Sequence, residues 1–315
     1  MTTEPRPHTA FVFPGMAPSQ FSDVAKFMMI NPHARELLAV ADEVLGYSLF
    51  ARYRDGRSDY SEHAQIAFFL NSLASARWAE ERYGRPQVIA GPSFGSKAAA
   101  VYSNALDLAD AIRLTAELAR HEDEYFAAEH RDIVTHSFAR TPADRLAEIL
   151  AELDALGGWY EISCYIDDDF HMLSLEESRV EWLEGRLRAA GGLPLYSMRP
   201  PMHCAAFATL RDTVEREVFA GLTFADPELP VVADQDGALL TTGEGVRTMM
   251  LEGYVKPVRW PDTVAGLQAA GVGRVVVTGP DKLFGRVPVT TSSFETLAAN
   301  PRTAMMPEPQ RTPAR

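Results

Sequence analysis

The sequence predicts an α/β protein in which one large domain is interrupted by a small α+β insertion. Its 315 residues suffice for two ordinary domains, or for one large α/β domain with an insertion. Short apolar runs that fit buried strands alternate with longer segments whose apolar residues recur at three- and four-residue spacing, as in helices. Later in the chain, helix, strand, strand, helix and strand follow one another within about seventy residues, which is typical of a small α+β unit.

The large domain is predicted from its short strands and the turns that end them. Residues 10–13 form an apolar run that ends at Pro14 and Gly15, and residues 88–90 form a second run that leads into an alanine-rich helix at 96–102. The pattern also predicts helices at 34–45, 65–83, 110–125 and 205–220, and strands at 230–233 and 274–277.

The insertion is predicted from elements between residues 141 and 198. They are a helix at 141–156, strands at 159–165 and 170–175, a helix at 176–190 and a strand at 193–198. From about residue 298 the chain is rich in Pro, Arg and Thr, which predicts a disordered tail over 298–315.

Composition and charge exclude several classes of function. Thirty basic against 43 acidic residues give a net charge of −13, which argues against a sequence-independent nucleic-acid binder. No apolar run approaches the ~20 residues of a membrane helix. No secretory signal is visible, so we expect a cytoplasmic protein without a membrane partner. Two cysteines are too few for a disulfide framework or a thiolate zinc site, and no metal site is expected.

A candidate nucleophile lies in the sequence Gly91-Pro92-Ser93-Phe94-Gly95, which fits the pattern G-x-S-x-G. In such a turn between strand and helix the serine side chain projects outward, and glycines on either side allow close backbone approach. The amide of Phe94 would then point from a helix N-terminus to where an oxyanion forms. The flanking strand and helix predict that Ser93 is a nucleophile.

A serine nucleophile needs a base, and His203 is the candidate among eight histidines. It follows a predicted strand and the rigid pair Pro200-Pro201, just before a helix, where loops deliver catalytic side chains. A histidine in this position also fits a structural role, and the residues alone leave both readings open. Other histidines, such as His121, stand among charges and read as solvated. Cys204 reads as a small packed thiol rather than a second nucleophile.

In addition, the chain resembles the malonyl-CoA:acyl-carrier-protein transacylases and the acyltransferase domains of polyketide synthases over residues 10–290. The resemblance rests on seven motifs in the right order. They are F-V-F-P-G at 11–15, A-Q-I-A at 64–67, G-P-S-F-G at 91–95, P-M-H-C at 201–204, P-V-V at 230–232, P-V-R-W at 257–260 and the stretch from G-V at 271–272 to G-P at 279–280.

The resemblance implies an α/β-hydrolase-like core with a parallel sheet and an inserted ferredoxin-like α+β subdomain. The large subdomain would comprise 1–125 and 197–297, and the small one 126–196. It further implies that Ser93 and His203 form a dyad with ping-pong chemistry through an acyl-serine. Backbone amides of Met16 and Phe94 would hold the oxyanion, and a backbone carbonyl near Gly253 would orient the imidazole.

Departures from the family pattern bear on the substrate. Malonyl-specific members hold the substrate carboxylate with an arginine on the helix after the nucleophile, and an ungapped alignment puts Leu118 there. Arg120 would point almost the opposite way from that helix face. Burying a malonyl carboxylate without a bidentate cation would cost several kcal/mol, so the sequence predicts a non-malonyl acyl group. The predicted pocket residues are Gln65, Pro92, Leu118 and Met202.

Three functions stay open at this point. The first is a trans-acting acyltransferase that moves a non-malonyl group, such as a bulky starter or aminoacyl unit, between acyl carrier proteins in polyketide biosynthesis; malonyl transfer is the variant of this reading. The second is an editing acyl hydrolase, and the third is an inactive docking module. No bound cofactor is expected, because the acyl group arrives on the phosphopantetheine of a carrier, or on CoA. Carrier proteins are acidic, and basic residues suggested for docking are Arg140, Arg145, Arg186, Arg188 and Arg286.

Overall fold

The computed structural model describes residues 7–56 and 58–306, which fold into two sheets covered by helices. The strands are β1 (His8–Val12), β2 (Val88–Ala90), β3 (Ile133–Ala139), β4 (Tyr160–Asp167), β5 (Phe170–Glu176), β6 (Leu193–Met198), β7 (Val231–Val232), β8 (Leu239–Leu240), β9 (Val258–Arg259), β10 (Val272–Thr278) and β11 (Glu295–Ala299).

The helices fill the intervals between these strands. They are α1 (Phe21–Ile30), α2 (Pro32–Leu45), α3 (Leu49–Asp55), α4 (Glu62–Tyr83), α5 (Gly95–Tyr102), α6 (Leu108–Ala128), α7 (Ala143–Ala155), α8 (Val180–Ala189), α9 (Ala208–Glu217), α10 (Gly243–Glu252), α11 (Trp260–Ala269), α12 (Pro288–Thr291) and α13 (Pro301–Ala304). Within the described residues no helix is long and apolar enough to cross a bilayer.

The large sheet has the strand order β11-β10-β1-β2-β7-β8, and its pairs are parallel except for β7 with β8. Alternate residues of its strands enter two separate hydrophobic clusters: Phe11 and Ile89 face α4, whereas Val12 and Ala90 face α11. Both faces are therefore buried, as is usual for a parallel sheet. The ends of β1 and β2 carry the loops that build the site.

The small sheet has the order β6-β3-β5-β4-β9. Its first four strands and helices α7 and α8 follow the order β-α-β-β-α-β, which is the ferredoxin-like arrangement. Helices α7 and α8 pack on one face through Leu146, Ile149, Leu183 and Leu187. The other face, with Cys164 and Met172, joins the cluster beneath the large sheet. The predicted α/β class and small α+β subdomain are confirmed.

The first strand of this subdomain, β3, is not predicted by the sequence pattern. Thr135, His136 and Ser137 break its apolar run, although all three are buried. Polar residues on a strand indicate an exposed face only when water covers that face, and here a second layer covers it.

The predicted domain boundaries fall inside regular elements. The boundary at 125/126 lies within α6, which continues to Ala128, and the boundary at 196/197 lies within β6, which continues to Met198. Helix α6 packs on α2, α4, α5 and α9 of the large subdomain, whereas β6 pairs with β3 and packs on α8 of the small one.

The predicted disordered tail is wrong for residues 298–306. Strand β11, which continues to Ala299, pairs with β10 in parallel. Asn300 and Thr303 then cap α13 reciprocally, and the following Pro301 is buried. Backbone pairing and capping thus offset the low apolar content of this segment. Residues 307–315 lie outside the described residues.

Gly95 is the tightest contact between the large sheet and the helix that follows Ser93. A Cβ atom there would lie inside van der Waals contact of the Phe13 carbonyl oxygen. We therefore expect Gly95→Ala to lower the free energy of unfolding by about 3 kcal/mol, because backbone would have to move. Chemical denaturation measures this. Gly185→Ala in the exposed part of α8 is the control, since its added Cβ meets open space and should raise stability by about 0.5–1 kcal/mol. Equal effects of the two variants would contradict the packing described here.

Candidate active site

Ser93 lies in a sharp turn between β2 and α5, and its backbone φ is 55°. A non-glycine residue adopts this left-handed conformation only when its surroundings impose it. Gly91 and Gly95 supply the constraint, because a Cβ on either would collide with neighbouring backbone atoms. The predicted turn is therefore present, and the Ser93 side chain lines a cavity.

His203 is the partner of Ser93. The Ser93 Oγ and the His203 Nε2 are 2.7 Å apart, within hydrogen-bond distance. His203 also has a left-handed φ, 66°, and follows β6 in a segment fixed from both sides. The Cys204 N–H donates to the Tyr254 carbonyl, and the Glu161 carboxylate accepts from the two amides that follow Cys204.

The protonation state of His203 at neutral pH is the one that a general base requires. Burial lowers the pKa of His203 to about 4; the backbone carbonyl of Gly253 opposes this and the positive charge of Lys97 adds to it. The imidazole is therefore neutral at neutral pH, and its Nε2 can accept the Ser93 proton. The buried Nδ1 forms no hydrogen bond of ordinary geometry, so Gly253 influences the ring without holding it tightly.

Two backbone amides stand free beside Ser93. Met16 and Phe94 both line the cavity, and neither N–H donates to another atom of the described residues. Phe94 immediately precedes α5, so its amide belongs to the positive end of that helix. These are the two amides predicted to hold an oxyanion.

Asp234 holds the backbone of the Ser93 turn, a role that was not predicted from the sequence. Its Oδ2 accepts a 2.6 Å hydrogen bond from the Ser93 N–H. Burial raises the pKa of Asp234 to about 6, against the stabilising effect of that N–H on the carboxylate. Asp234 thus helps to fix the strained backbone of Ser93. Its position after β7, at the carboxyl end of a central strand, was the signal available in the sequence.

The cavity has a volume of about 480 Å³ and takes in most of the predicted pocket. Gln65, Leu118 and Met202 line it together with Ser93 and His203. Pro92 does not line it, which corrects the prediction. The residue before the nucleophile is turned inward, where Pro92 is buried and its carbonyl accepts from the Gly95 N–H.

Two charged residues in the cavity wall escaped the sequence analysis. Lys97 and Glu122 are 7% and 6% exposed, and both line the cavity. Glu122 follows His121 in a polar run that reads as surface, yet it falls on the same face of α6 as Leu118. Arg120, by contrast, is exposed and pairs with Glu117 on the outside of the helix, as the helical geometry predicts.

Three of the five suggested docking arginines lie elsewhere. Arg145 on α7 and Arg186 and Arg188 on α8 belong to the helices that cover the sheet face opposite the cavity. Each is also paired with a glutamate, in Arg145–Glu148, Arg186–Glu152 and Arg188–Glu184. None of the three lines the cavity, and carrier docking at these residues stays a prediction.

Arg140 and Arg286 are exposed, and neither forms an ion pair with another described residue. Arg286 follows a loop whose residues Lys282 and Phe284 line the cavity. Arg140 lies at the end of β3, beside the turn that joins β4 to β5, where Thr141 N–H donates to Asp169.

Cys204 is not a competing nucleophile. It is fully buried, and burial raises the pKa of its thiol to about 12, as it does for Cys164. A protonated thiol without access to the cavity is inert, which agrees with the structural role predicted for Cys204.

The chain is similar in sequence to acyltransferases and to a polyketide biosynthesis protein. A family model, the VinK acyltransferase small domain, matches residues 137–198. The malonyl CoA-acyl carrier protein transacylase of Escherichia coli K12 is 27% identical over 92% of this chain and 94% of its own length. The polyketide biosynthesis protein ThaF of Burkholderia thailandensis is 28% identical over 86% of this chain, which corresponds to 23% of ThaF.

Solved structures carry the same fold. A malonyl-transacylase in complex with its type II polyketide synthase acyl-carrier protein superposes with a TM-score of 0.80, at 26% identity over 93% of this chain and 95% of that one. FabD from Acinetobacter baumannii superposes with a TM-score of 0.82 over 95% and 96% of the two chains. At 20% identity, the second supports the fold alone.

The acid limb of the pH profile should report the buried base. Because the pKa of His203 lies at about 4, the rate of Ser93 acylation should stay constant as the pH is lowered past 6.5. The rate should fall only near pH 4, where His203 becomes protonated. The pH dependence of kcat/KM, with circular dichroism to verify folding, measures this.

The variant Asp234→Asn distinguishes the titration of Asp234 from that of His203. It keeps an oxygen acceptor for the Ser93 N–H but removes the ionisation near pH 6. The limb near pH 4 should persist in this variant. A limb near pH 6 that disappears in Asp234→Asn would assign the profile to Asp234 instead of His203.

Proposed function

We propose that this chain, which is similar to malonyl-CoA:acyl-carrier-protein transacylases and a polyketide biosynthesis protein, moves a non-malonyl acyl group between acyl carrier proteins. It would act in trans, in polyketide biosynthesis, through an acyl-serine. The observation that carries the proposal is the 2.7 Å contact between Ser93 Oγ and a buried, neutral His203 beside two free amides.

The chemistry follows from these groups. His203 Nε2 takes the hydroxyl proton as Ser93 Oγ attacks the carbonyl carbon of the donor thioester. The N–H groups of Met16 and Phe94 stabilise the negative oxygen of the tetrahedral intermediate. The C–S bond then breaks, and the donor thiol leaves with the proton from His203. The acceptor thiol repeats these steps in reverse, which restores the Ser93 hydroxyl.

Acyl carrier proteins are the partners that best fit the surface near the cavity. Leu195 and Tyr196 on the edge strand β6 are exposed and line the cavity, so an apolar rim is available to a docked carrier. Arg140 and Arg286 are unpaired cations among the described residues, and an acidic carrier needs such cations on a protein of net charge −13. We retain these two as docking residues.

The character of the pocket favours a non-malonyl group. Leu118 offers no cation where malonyl-specific members carry arginine, and the nearby charge of Lys97 is offset by Glu122. A malonyl carboxylate would therefore add a net negative charge to a largely apolar cavity. Malonyl transfer remains the second candidate, because Lys97 is a buried cation in the cavity and the curated relatives include malonyl transacylases.

Transfer is tested with one acylated carrier and a second, unloaded carrier. Intact-protein mass spectrometry should show the acyl mass first on this protein and then on the second carrier. Ser93→Ala should lower the rate by at least about a thousandfold, because the covalent route is lost. Release of free acid without transfer would identify an editing hydrolase, and unchanged biological output of Ser93→Ala would identify an inactive docking module.

Malonyl-CoA should not acylate Ser93 detectably. The expected cause is the uncompensated carboxylate, which costs several kcal/mol when no bidentate cation receives it. The measurement is the mass of the protein after incubation with malonyl-CoA, compared with Leu118→Arg, in which some loading should appear. Rapid stoichiometric malonylation of the unaltered protein would establish the second candidate.

A further inference from the structure

The cavity has a polar cluster in the wall formed by α4, α5, α6 and the turn after α10. The cluster comprises Gln65, Lys97, Glu122 and Tyr254, which all line the cavity and are all buried. None of the steps of acyl transfer described above uses its charges. A buried charged pair is expensive to maintain unless its hydrogen bonds are completed.

Lys97 is the incomplete member of the polar cluster. Its side chain is 7% exposed, and its Nζ lies 4.1 Å from the centroid of the Phe94 ring. It donates no hydrogen bond and forms no ion pair with any described residue. The ring attracts the ammonium but leaves its N–H groups without acceptors. Three donors therefore face the cavity next to the nucleophile's helix.

Glu122 is better satisfied and lies apart from Lys97. Its Oε1 accepts a 3.1 Å hydrogen bond from the Tyr254 hydroxyl. It forms no ion pair with Lys97 within 4.0 Å. Burial lowers the pKa of Lys97 and raises the pKa of Glu122, and the charge of each residue opposes the shift that burial causes in the other. The pair is thus neutral as a whole, with space between its members.

We propose that the polar cluster recognises an uncharged hydrogen-bonding group, a hydroxyl or a carboxamide, on the acyl chain. Lys97 would donate a hydrogen bond to the oxygen of that group, and Glu122 would accept a hydrogen bond from its O–H or N–H. The inference rests on the proposed acyl transfer and specifies its substrate class. Lys97 follows Ser93 by four residues, or ~6 Å along a helix, so the group belongs a few carbons beyond the thioester carbonyl.

Charge balance selects this class over the alternatives. A plain alkyl chain leaves the Lys97 donors unsatisfied and also excludes water from them. A carboxylate would bind Lys97 but leave the charge of Glu122 in excess, and an ammonium would do the reverse. Only a neutral group with both a donor and an acceptor completes the pair without adding charge.

The first experiment uses the unaltered protein and acyl thioesters of equal chain length. The panel comprises hexanoyl, hexanoyl chains with a hydroxyl at successive carbons, a chain that ends in a carboxamide, and chains that end in a carboxylate or an ammonium. The rate of Ser93 acylation is read from the protein mass. We expect at least one hydroxyl or carboxamide chain to load about tenfold faster than hexanoyl.

The second experiment removes both charges together. In Lys97→Met/Glu122→Gln the preference for the hydroxyl or carboxamide chain over hexanoyl should fall to about one, because donor and acceptor charges are both lost. Arg120→Met is the matched control: it removes an exposed cation from the same helix, paired outside the cavity, and should keep the preference of the unaltered protein.

Each outcome bears on the inference. Equal or faster loading of hexanoyl overturns it, and so does fastest loading of the carboxylate chain or of the ammonium chain. A preference that survives in the double variant overturns the assignment to Lys97 and Glu122, even if the variant is less stable. If none of the thioesters acylates Ser93 in the unaltered protein, the proposed transfer fails together with this inference, and that result is distinct from equal loading of all chains.

Discussion

The close approach of the Phe13 carbonyl to Gly95 is the contact on which the site depends. It presses the loop after β1 against the first turn of α5, where no side chain larger than glycine fits. Met16, on that loop, and Phe94, immediately before Gly95, both line the cavity, and Ser93 has a left-handed backbone conformation. One backbone contact therefore constrains both the loop that carries Met16 and the turn that carries Ser93 and Phe94.

Burial explains the chemistry of the remaining groups. The same exclusion of water keeps His203 neutral and raises the pKa of both cysteine thiols and of Asp234. In a cavity of this kind, each additional charge must be matched within the wall. Lys97 and Glu122 match each other in charge but not in hydrogen bonds, and this difference makes the cavity selective for neutral polar chains in our proposal.

Much of the fold and the central pair of the site could be predicted from sequence because their signals are local. The G-x-S-x-G turn and the Pro-Pro-Met-His segment identify Ser93 and His203, and the seven ordered motifs identify the α/β core. Lys97 and Glu122 could not be found this way, because helical spacing gives a residue's face but not what covers that face. Strands β3 and β11 were missed because their backbones pair with other strands of the sheets, which a local pattern of side chains does not show.

Strand β9 has a mechanical consequence. Its two residues extend the small sheet, where Val258 pairs with Cys164 and Arg259 with Tyr165, while the Arg259 N–H also donates to the carbonyl of Asp234 behind the nucleophile. Strand β9 thus joins the small sheet to the segment after β7 that holds the turn of Ser93. Separating the two subdomains to admit a larger acyl group would break the hydrogen bonds of β9 and disturb the turn that carries Ser93. For the proposed reaction we therefore expect a larger acyl group to be admitted by rotation of cavity side chains such as Met202, rather than by separation of the subdomains.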